Sequence, residues 1–174
     1  MIETDHLLLR EHRVDDFDAY IPLWTQRLAG LDGGYRFPPL RDEDVWARLL
    51  RWIGHRHVFG FAPFLVFDLE SGRLCGEVGF GHFHRGNGPG FDGVPEAMWT
   101  LHPDFHGRGL AGEAATAAIA WFDSHFPAPR TVCMIEPDNV ASLTLAERFG
   151  FREFARGEYK GSRNILLQRL RNLG

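Results

Sequence analysis

The chain reads as an α/β (α+β) domain in which a mixed sheet is covered by helices. Three observations lead there. Short apolar runs and segments of helical spacing follow one another in the order β-α-α-β-β-β-α-β-α-β-β. The strand-like run Ala97-Met-Trp-Thr-Leu101 passes through a glycine loop straight into the alanine-rich segment Glu113–Phe122. The 174 residues are 44% hydrophobic and 24% charged, a mix that builds a globular core and argues against disorder. The whole span 1–174 is read as one domain.

In chain order, His6–Glu11 is the first strand. Asp15 or Asp16 caps a helix running to about Gln26, with Phe17, Tyr20, Ile21 and Trp24 on one face. The Gly- and Pro-rich stretch 30–40 is a loop. Asp42 or Asp44 opens a second helix in which Val45, Leu49, Trp52 and Ile53 recur at helical spacing. Phe61–Leu69 and Leu74–Phe83 form a hairpin around Ser71-Gly72-Arg73. Glycines and a proline make Arg85–Val94 an exposed loop. After Ala97–Leu101 and the Glu113–Phe122 helix come a buried strand, Thr131–Ile135, and a short helix, Asn139–Arg148, which Gly150 ends as a C-cap glycine. Phe151–Glu158 and Asn164–Arg169 close the chain as a hairpin.

Charge and composition exclude several functions. The net charge of −4, with no basic stripe, argues against a nucleic-acid binder and would tolerate a cationic acceptor. No apolar run approaches the roughly 18 residues that span a bilayer, so no membrane role is expected. Met1–His6 lacks the basic-then-apolar pattern of a secretory leader. Cys75 and Cys133 sit in apolar, strand-like segments and read as reduced core thiols. Both features point to a cytoplasmic protein.

The chemistry gathers in His102-Pro-Asp-Phe-His-Gly-Arg-Gly-Leu-Ala-Gly112. Glycines ahead of a helix free its first N–H groups from Cβ obstruction. Those groups have no intrahelical partner and carry the positive end of the helix dipole. Strand, loop and helix start therefore make a cradle for phosphate or pyrophosphate, to which Arg108 adds charge. Gly107-Arg-Gly109-Leu-Ala-Gly112 also spells the dinucleotide fingerprint, with Glu136 near the ribose-binding position. Residues 102–106 separate it from the strand end, however, and no further βα units follow. The nicotinamide or flavin reading is therefore rejected.

With this loop and element order, the chain resembles the GCN5-related N-acetyltransferase superfamily, above all its RimJ/RimL-type branch of ribosomal-protein N-terminal acetyltransferases. The resemblance runs through Leu7–Glu11, Leu74–Phe80, Glu96–Pro103, His106–Ala111, Asn139–Ser142 and Glu147–Phe151. It implies a mostly antiparallel sheet of six to seven strands whose fourth and fifth strands splay into a V that holds acetyl-CoA. On this resemblance the Leu101 backbone lies beside the pantetheine, the amides of Gly107, Arg108, Gly109, Leu110 and Ala111 hold the pyrophosphate, and Asn139 touches the pantetheine. The loop starts with His106 where the family has Gln or Arg; an imidazolium on phosphate would make affinity pH-dependent. A homodimer is the oligomer that the family suggests.

The implied reaction passes acetyl from acetyl-CoA to a primary amine, of a small molecule or a protein N-terminus, by direct attack in a ternary complex. The ammonium must lose a proton and the departing thiolate benefits from gaining one. Glu96 is the candidate base, its alternative being a surface glutamate at a strand start; Glu77 is second. The tyrosine that many members use as acid falls on Ala146 here. The serine of the RimL-like branch maps to Ser142, which could instead be bonding the backbone within its helix; Tyr159 is a further candidate. A backbone N–H near Trp99–Leu101 would hold the oxyanion. Tyr35, Phe37 and the Arg85–Val94 loop with Asp92 are candidate walls for the acceptor. No metal is expected: the pairs His55/His57 and His82/His84, each placed on a strand face or loop, lack the spacing of a ligand set. The competing function is a non-catalytic acyl-CoA-binding or regulatory module, suggested by the missing tyrosine and by His106.

Overall fold

One sheet gathers every strand of the computed structural model, which describes residues 1–25 and 39–171. The strands are β1 (Ile2–Glu3), β2 (Leu7–Arg10), β3 (Phe64–Asp68), β4 (Leu74–Gly81), β5 (Glu96–Leu101), β6 (Arg130–Ile135), β7 (Arg152–Tyr159) and β8 (Ser162–Leu170). The helices are α1 (Phe17–Thr25), α2 (Asp42–Phe59), α3 (Leu110–His125) and α4 (Val140–Arg148). The sheet order is β1-β2-β3-β4-β5-β6-β8-β7. It has eight strands where six to seven were expected, because Ile2–Glu3 adds a short edge strand that pairs antiparallel with β2.

That extra strand shifts the numbering, so the expected V lies between β5 and β6, the sheet's parallel pair. Only Glu96↔Val132 stands in register there, beside a bond from the Val132 N–H to the Pro95 carbonyl at 3.0 Å. β5 is paired along its whole length on the other side, from Gly76↔Leu101 to Gly81↔Glu96. β6 is likewise paired with β8 from Arg130↔Leu170 to Ile135↔Ile165. The sheet thus stays closed at the Glu96 end and opens toward Leu101 and Ile135.

Side-chain alternation along the strands gives the sheet two apolar faces. On one, Leu7, Leu9, Phe64, Val66 and Leu101 pack against Ala114, Ala115 and Ala118 of α3, whose small side chains let the helix lie close. Phe80, Ala97, Cys133 and Ile135 continue that face under Phe122 and, in α4, Ala146. On the other face Leu65, with Met98 beside it, meets Tyr20, Leu23 and Trp24 of α1 and Val45 and Leu49 of α2.

Several boundaries differ from the expected ones for local reasons. A 3-10 turn, Val14–Asp16, precedes α1, so Asp16 does not cap it. Its carboxylate instead receives the Arg13 N–H at 2.7 Å and the Arg10 guanidinium at 2.5 and 2.8 Å. The expected helix end at Gln26 and most of the 30–40 loop lie outside the described residues. α2 continues to Phe59, where Gly60 supplies the left-handed cap (φ 78). This puts His55 and His57 on a helix rather than on a strand or loop. α3 starts at Leu110, ahead of the expected Glu113. Cys75 and Cys133 are buried free thiols, and burial pushes the Cys75 thiol up to about 12, far from nucleophilic.

Candidate functional site

β5 ends at Leu101, and a 3-10 turn, Pro103–Phe105, carries the chain away from the sheet. His102 caps the turn by accepting the Asp104 N–H at Nδ1, while Phe105 is buried and anchors it. Gly107 (φ 73) and Gly109 (φ 77) then take left-handed backbone angles, and Gly109 is the N-cap of α3. A Cβ at either glycine would meet no atom within 4 Å, so the loop is open in front. The first bond of the helix turn runs from the Glu113 N–H to the Gly109 carbonyl at 3.1 Å. The preceding amides of Leu110, Ala111 and Gly112 are left by helix geometry without such partners. An anion placed there would meet the positive end of α3.

Two expected contributors to this cradle are turned elsewhere. The Arg108 guanidinium bonds Asp68 at 3.2 Å and approaches Glu70 at 3.9 Å. Its charge therefore flanks the loop instead of filling it. His106 lies 2.9 Å by Nε2 from the Leu101 carbonyl; a carbonyl only accepts, so Nε2 carries the hydrogen. The ring ties the loop back to the end of β5.

The cleft wall follows from backbone alternation. The His102 N–H donates to the Cys75 carbonyl across β4/β5 at 2.8 Å, so even-numbered β5 residues turn their polar groups toward β4. Odd-numbered ones, Ala97, Trp99 and Leu101, turn theirs toward β6, as the Pro95 carbonyl already does. Where β6 diverges, the N–H and C=O of Trp99 and Leu101 therefore border the opening.

Trp99 and Ser142 meet across that opening. The indole Nε1 donates to Ser142 Oγ at 3.2 Å, bridging β5 and α4. An indole N–H only donates, so the serine accepts here and keeps its own hydrogen for another partner. Asn139 is the N-cap of α4 and takes the Ser142 N–H on Oδ1 at 3.1 Å, which leaves its NH₂ as a donor at the rim. Both residues thus sit at the helix start beside the V.

At the closed end, Glu96 is buried and held by Arg85, with Nε 2.8 and 2.9 Å from the two carboxylate oxygens. Burial raises the Glu96 pKa above its ordinary value, and the hydrogen bond and charge of Arg85 oppose that rise. Arg85 stacks on Phe83 (4.3 Å) and on Tyr159 (4.8 Å), which brings Tyr159 to the same group. Asp92 collects the N–H groups of Arg85, Gly86 and Gly88 at 2.8, 3.0 and 3.2 Å. It folds the loop that delivers Arg85.

Glu77 is fully buried. It receives the Tyr20 hydroxyl at 2.6 Å and the Arg48 guanidinium, with His12 Nε2 at 2.8 Å. Burial alone would raise its pKa, but the Arg48 charge and the bonds from His12 and Tyr20 hold it at about 2. With its oxygens committed and so low a pKa, it is a poor proton acceptor; Glu96 suits that task better. His55 meets His82 rather than His57, accepting the His82 N–H on Nε2 at 2.9 Å while Nδ1 faces the Phe61 carbonyl at 2.6 Å. Among the described residues no three His, Cys, Asp or Glu side chains converge as a metal set would require. Tyr35 and Phe37 lie outside the described residues. Sequence reasoning missed Arg85, His12, Arg48 and the indole of Trp99. Arg85 lay within the loop already singled out; nothing in spacing marked the other three.

Residues 6–152 match the acetyltransferase (GNAT) domain, and the chain belongs to that family. A protein assigned to the GnaT-family acetyltransferases of Bordetella pertussis is 36% identical, with a TM-score of 0.87 over 97% of this chain and 98% of its own. The ribosomal-protein-S5-alanine acetyltransferase of Vibrio fischeri shares the fold at 18% identity, with a TM-score of 0.79 over 99% of this chain and 97% of that one. RimL, a ribosomal L7/L12 alpha-N-protein acetyltransferase solved with coenzyme A, does so at 19% identity, with a TM-score of 0.77 over 98% and 97%.

Proposed function

We propose that the chain is an acetyl-CoA-dependent N-acetyltransferase that acylates a primary amine, of a small molecule or a protein N-terminus, by direct attack in a ternary complex. The observation that carries this reading is the β5/β6 opening, which leads directly into the Gly107–Gly109 loop and the free amides of α3. Pyrophosphate fits the amides of Gly107, Arg108, Gly109, Leu110 and Ala111. The pantetheine fits beside Trp99 and Leu101, within reach of the Asn139 NH₂. That RimL, which has the same fold, was solved with coenzyme A supports coenzyme A as the ligand. Buried free thiols at Cys75 and Cys133 suit a cytoplasmic setting.

In this reading Glu96 takes a proton from the acceptor ammonium through water. The Arg85 fork leaves carboxylate lone pairs unused, and burial lifts the Glu96 pKa toward a useful range. The freed amine attacks the thioester carbonyl, and a backbone N–H of Trp99 or Leu101 receives the developing oxyanion. As the C–S bond breaks, the Ser142 hydroxyl gives its hydrogen to the thiolate. The competing binding-module reading rests on Ala146 standing where many members have tyrosine. Release of free thiol from acetyl-CoA over a panel of amines separates the two. Transfer to any amine supports the enzyme, whereas acetyl-CoA binding with no transfer favours the module.

A further inference from the structure

α2 has a face that the fold of a single chain does not use. Val45, Leu49, Trp52 and His55 turn inward and are buried. On the opposite side Glu43, Trp46, Leu50, Gly54, His57 and Val58 recur at steps of three or four, and all are exposed. The outer face of a surface helix ordinarily carries polar side chains. Here the middle of that face is apolar, with Trp46, Leu50 and Val58 38%, 43% and 70% exposed. An apolar stretch of this kind on an outer face marks a contact surface.

Gly54 sits within the same stretch. Inside a helix a glycine costs about 1 kcal/mol relative to alanine. A Cβ at Gly54 would meet nothing within 4 Å, and its φ is not positive, so neither packing nor backbone angle within the chain requires glycine. What it provides is a bare stretch of backbone to which another chain can come close.

The charges of α2 identify that chain. The acids Asp42, Glu43 and Asp44 are confined to the first turn, where Arg41 pairs with Glu43 and Asp44. Three acids thus face one cation there. From Val45 to Phe59 the helix has no acid, while Arg48, Arg51, Arg56 and His57 follow one another. Glu77 binds Arg48 and acts on Arg51, and Glu11 lies 3.4 Å from Arg56; these acids reduce the positive charge without reversing it. A second α2 laid against the first in the opposite direction brings acidic turn to basic half at both ends, and opposes the two helix dipoles. Laid parallel, the two helices would repel.

We infer that two copies of the chain associate through α2, antiparallel about a twofold axis at Leu50. In that register Leu50 meets Leu50, the Trp46 indole covers the backbone at Gly54 of the second copy, and Glu43 stands opposite His57. The inference is independent of the acetyltransferase reading. A helix of 18 residues is about 27 Å long, so the contact falls at the small end of interface sizes and the dimer is a reversible, micromolar one.

Sedimentation of the full chain at rising concentration tests this, and should show a monomer passing into a dimer. Leu50→Glu places two like charges on the axis and should raise the dissociation constant about a hundredfold, with the circular dichroism of the monomer unchanged. Gly54→Ala should raise it about tenfold by keeping the indole off the backbone, yet stabilise the dilute monomer by up to about 1 kcal/mol. A glycine of purely local importance would not move the two readouts in opposite directions. Glu43→Lys and His57→Glu should each weaken the dimer about threefold, and the two together should restore it. A monomer at every concentration overturns the inference, as does a dimer that Leu50→Glu leaves intact. Failure of the charge swap to restore association overturns the antiparallel register.

Discussion

Ser142 and Glu96 each owe their proposed part to one neighbour. Trp99 donates to Ser142, so Trp99→Phe keeps an aromatic ring but frees the hydroxyl to rotate. Ser142→Ala should lower kcat by about 10²-fold, the lower range for a lost general acid, with the KM for acetyl-CoA little changed. Trp99→Phe should give a smaller loss of the same kind, and the double variant should be no worse than Ser142→Ala alone. Additive losses in steady-state kinetics would separate Trp99 from the serine. Arg85 opposes the rise in the Glu96 pKa that burial causes. Arg85→Gln should therefore move the acid limb of kcat/KM to higher pH, because Glu96 then takes a proton more readily. It also leaves a buried carboxylate without its cation, which costs stability on the order of 3–5 kcal/mol. A pH profile that does not move would take Glu96 out of the proton pathway.

At the scale of elements, the loop into α3 was the most legible part of the chain, because its signal is local. Glycines, a strand end and an alanine run are adjacent in sequence, and the structure joins them in that order. What stayed hidden was pairing across distance. Trp99 and Ser142 are 43 positions apart, and the partners of Glu77 come from α1, α2 and the segment after β2, with no shared period. β1 has too few residues to alternate visibly and exists by pairing with β2. The same loop offers a controlled comparison. Gly109 needs φ 77, so Gly109→Ala forces a left-handed alanine at about 1–2 kcal/mol and should weaken coenzyme A binding roughly tenfold by calorimetry. Gly112 lies inside α3, where a Cβ meets Leu145 at an ordinary 3.8 Å. Gly112→Ala should leave binding intact and stabilise the protein by up to about 1 kcal/mol, the helix preference for alanine. Equal effects at both positions would contradict the cradle.

For the whole molecule, buried titratable groups make stability depend on pH in opposite senses. His55 joins α2 to the chain beyond β4 only while its Nε2 is bare, since that nitrogen accepts the His82 N–H. Burial lowers the pKa of both histidines, and the buried His82 Nδ1 has no partner among the described residues. The unfolded chain therefore takes up protons near pH 6.5, where the folded chain still refuses them. Stability contributed by these neutral rings is complete above that pH and declines as acid is added. Glu77 behaves as a paired carboxylate: its contribution is full above its ordinary 4.5 and erodes toward its folded value of about 2. Glu96, whose pKa is raised, binds protons more tightly when folded, so it opposes both trends as the pH falls. The histidines titrate highest of the three in the unfolded chain, so their loss comes first. The midpoint of thermal unfolding should accordingly begin to fall as the pH drops below about 6.5, ahead of a second decline below roughly 4.5. His55→Gln, which has no ring to protonate, should start from a lower midpoint at neutral pH and show a shallower first decline. A midpoint that stays level between about pH 7 and 5 would mean that the His55–His82 contact does not hold the folded state together.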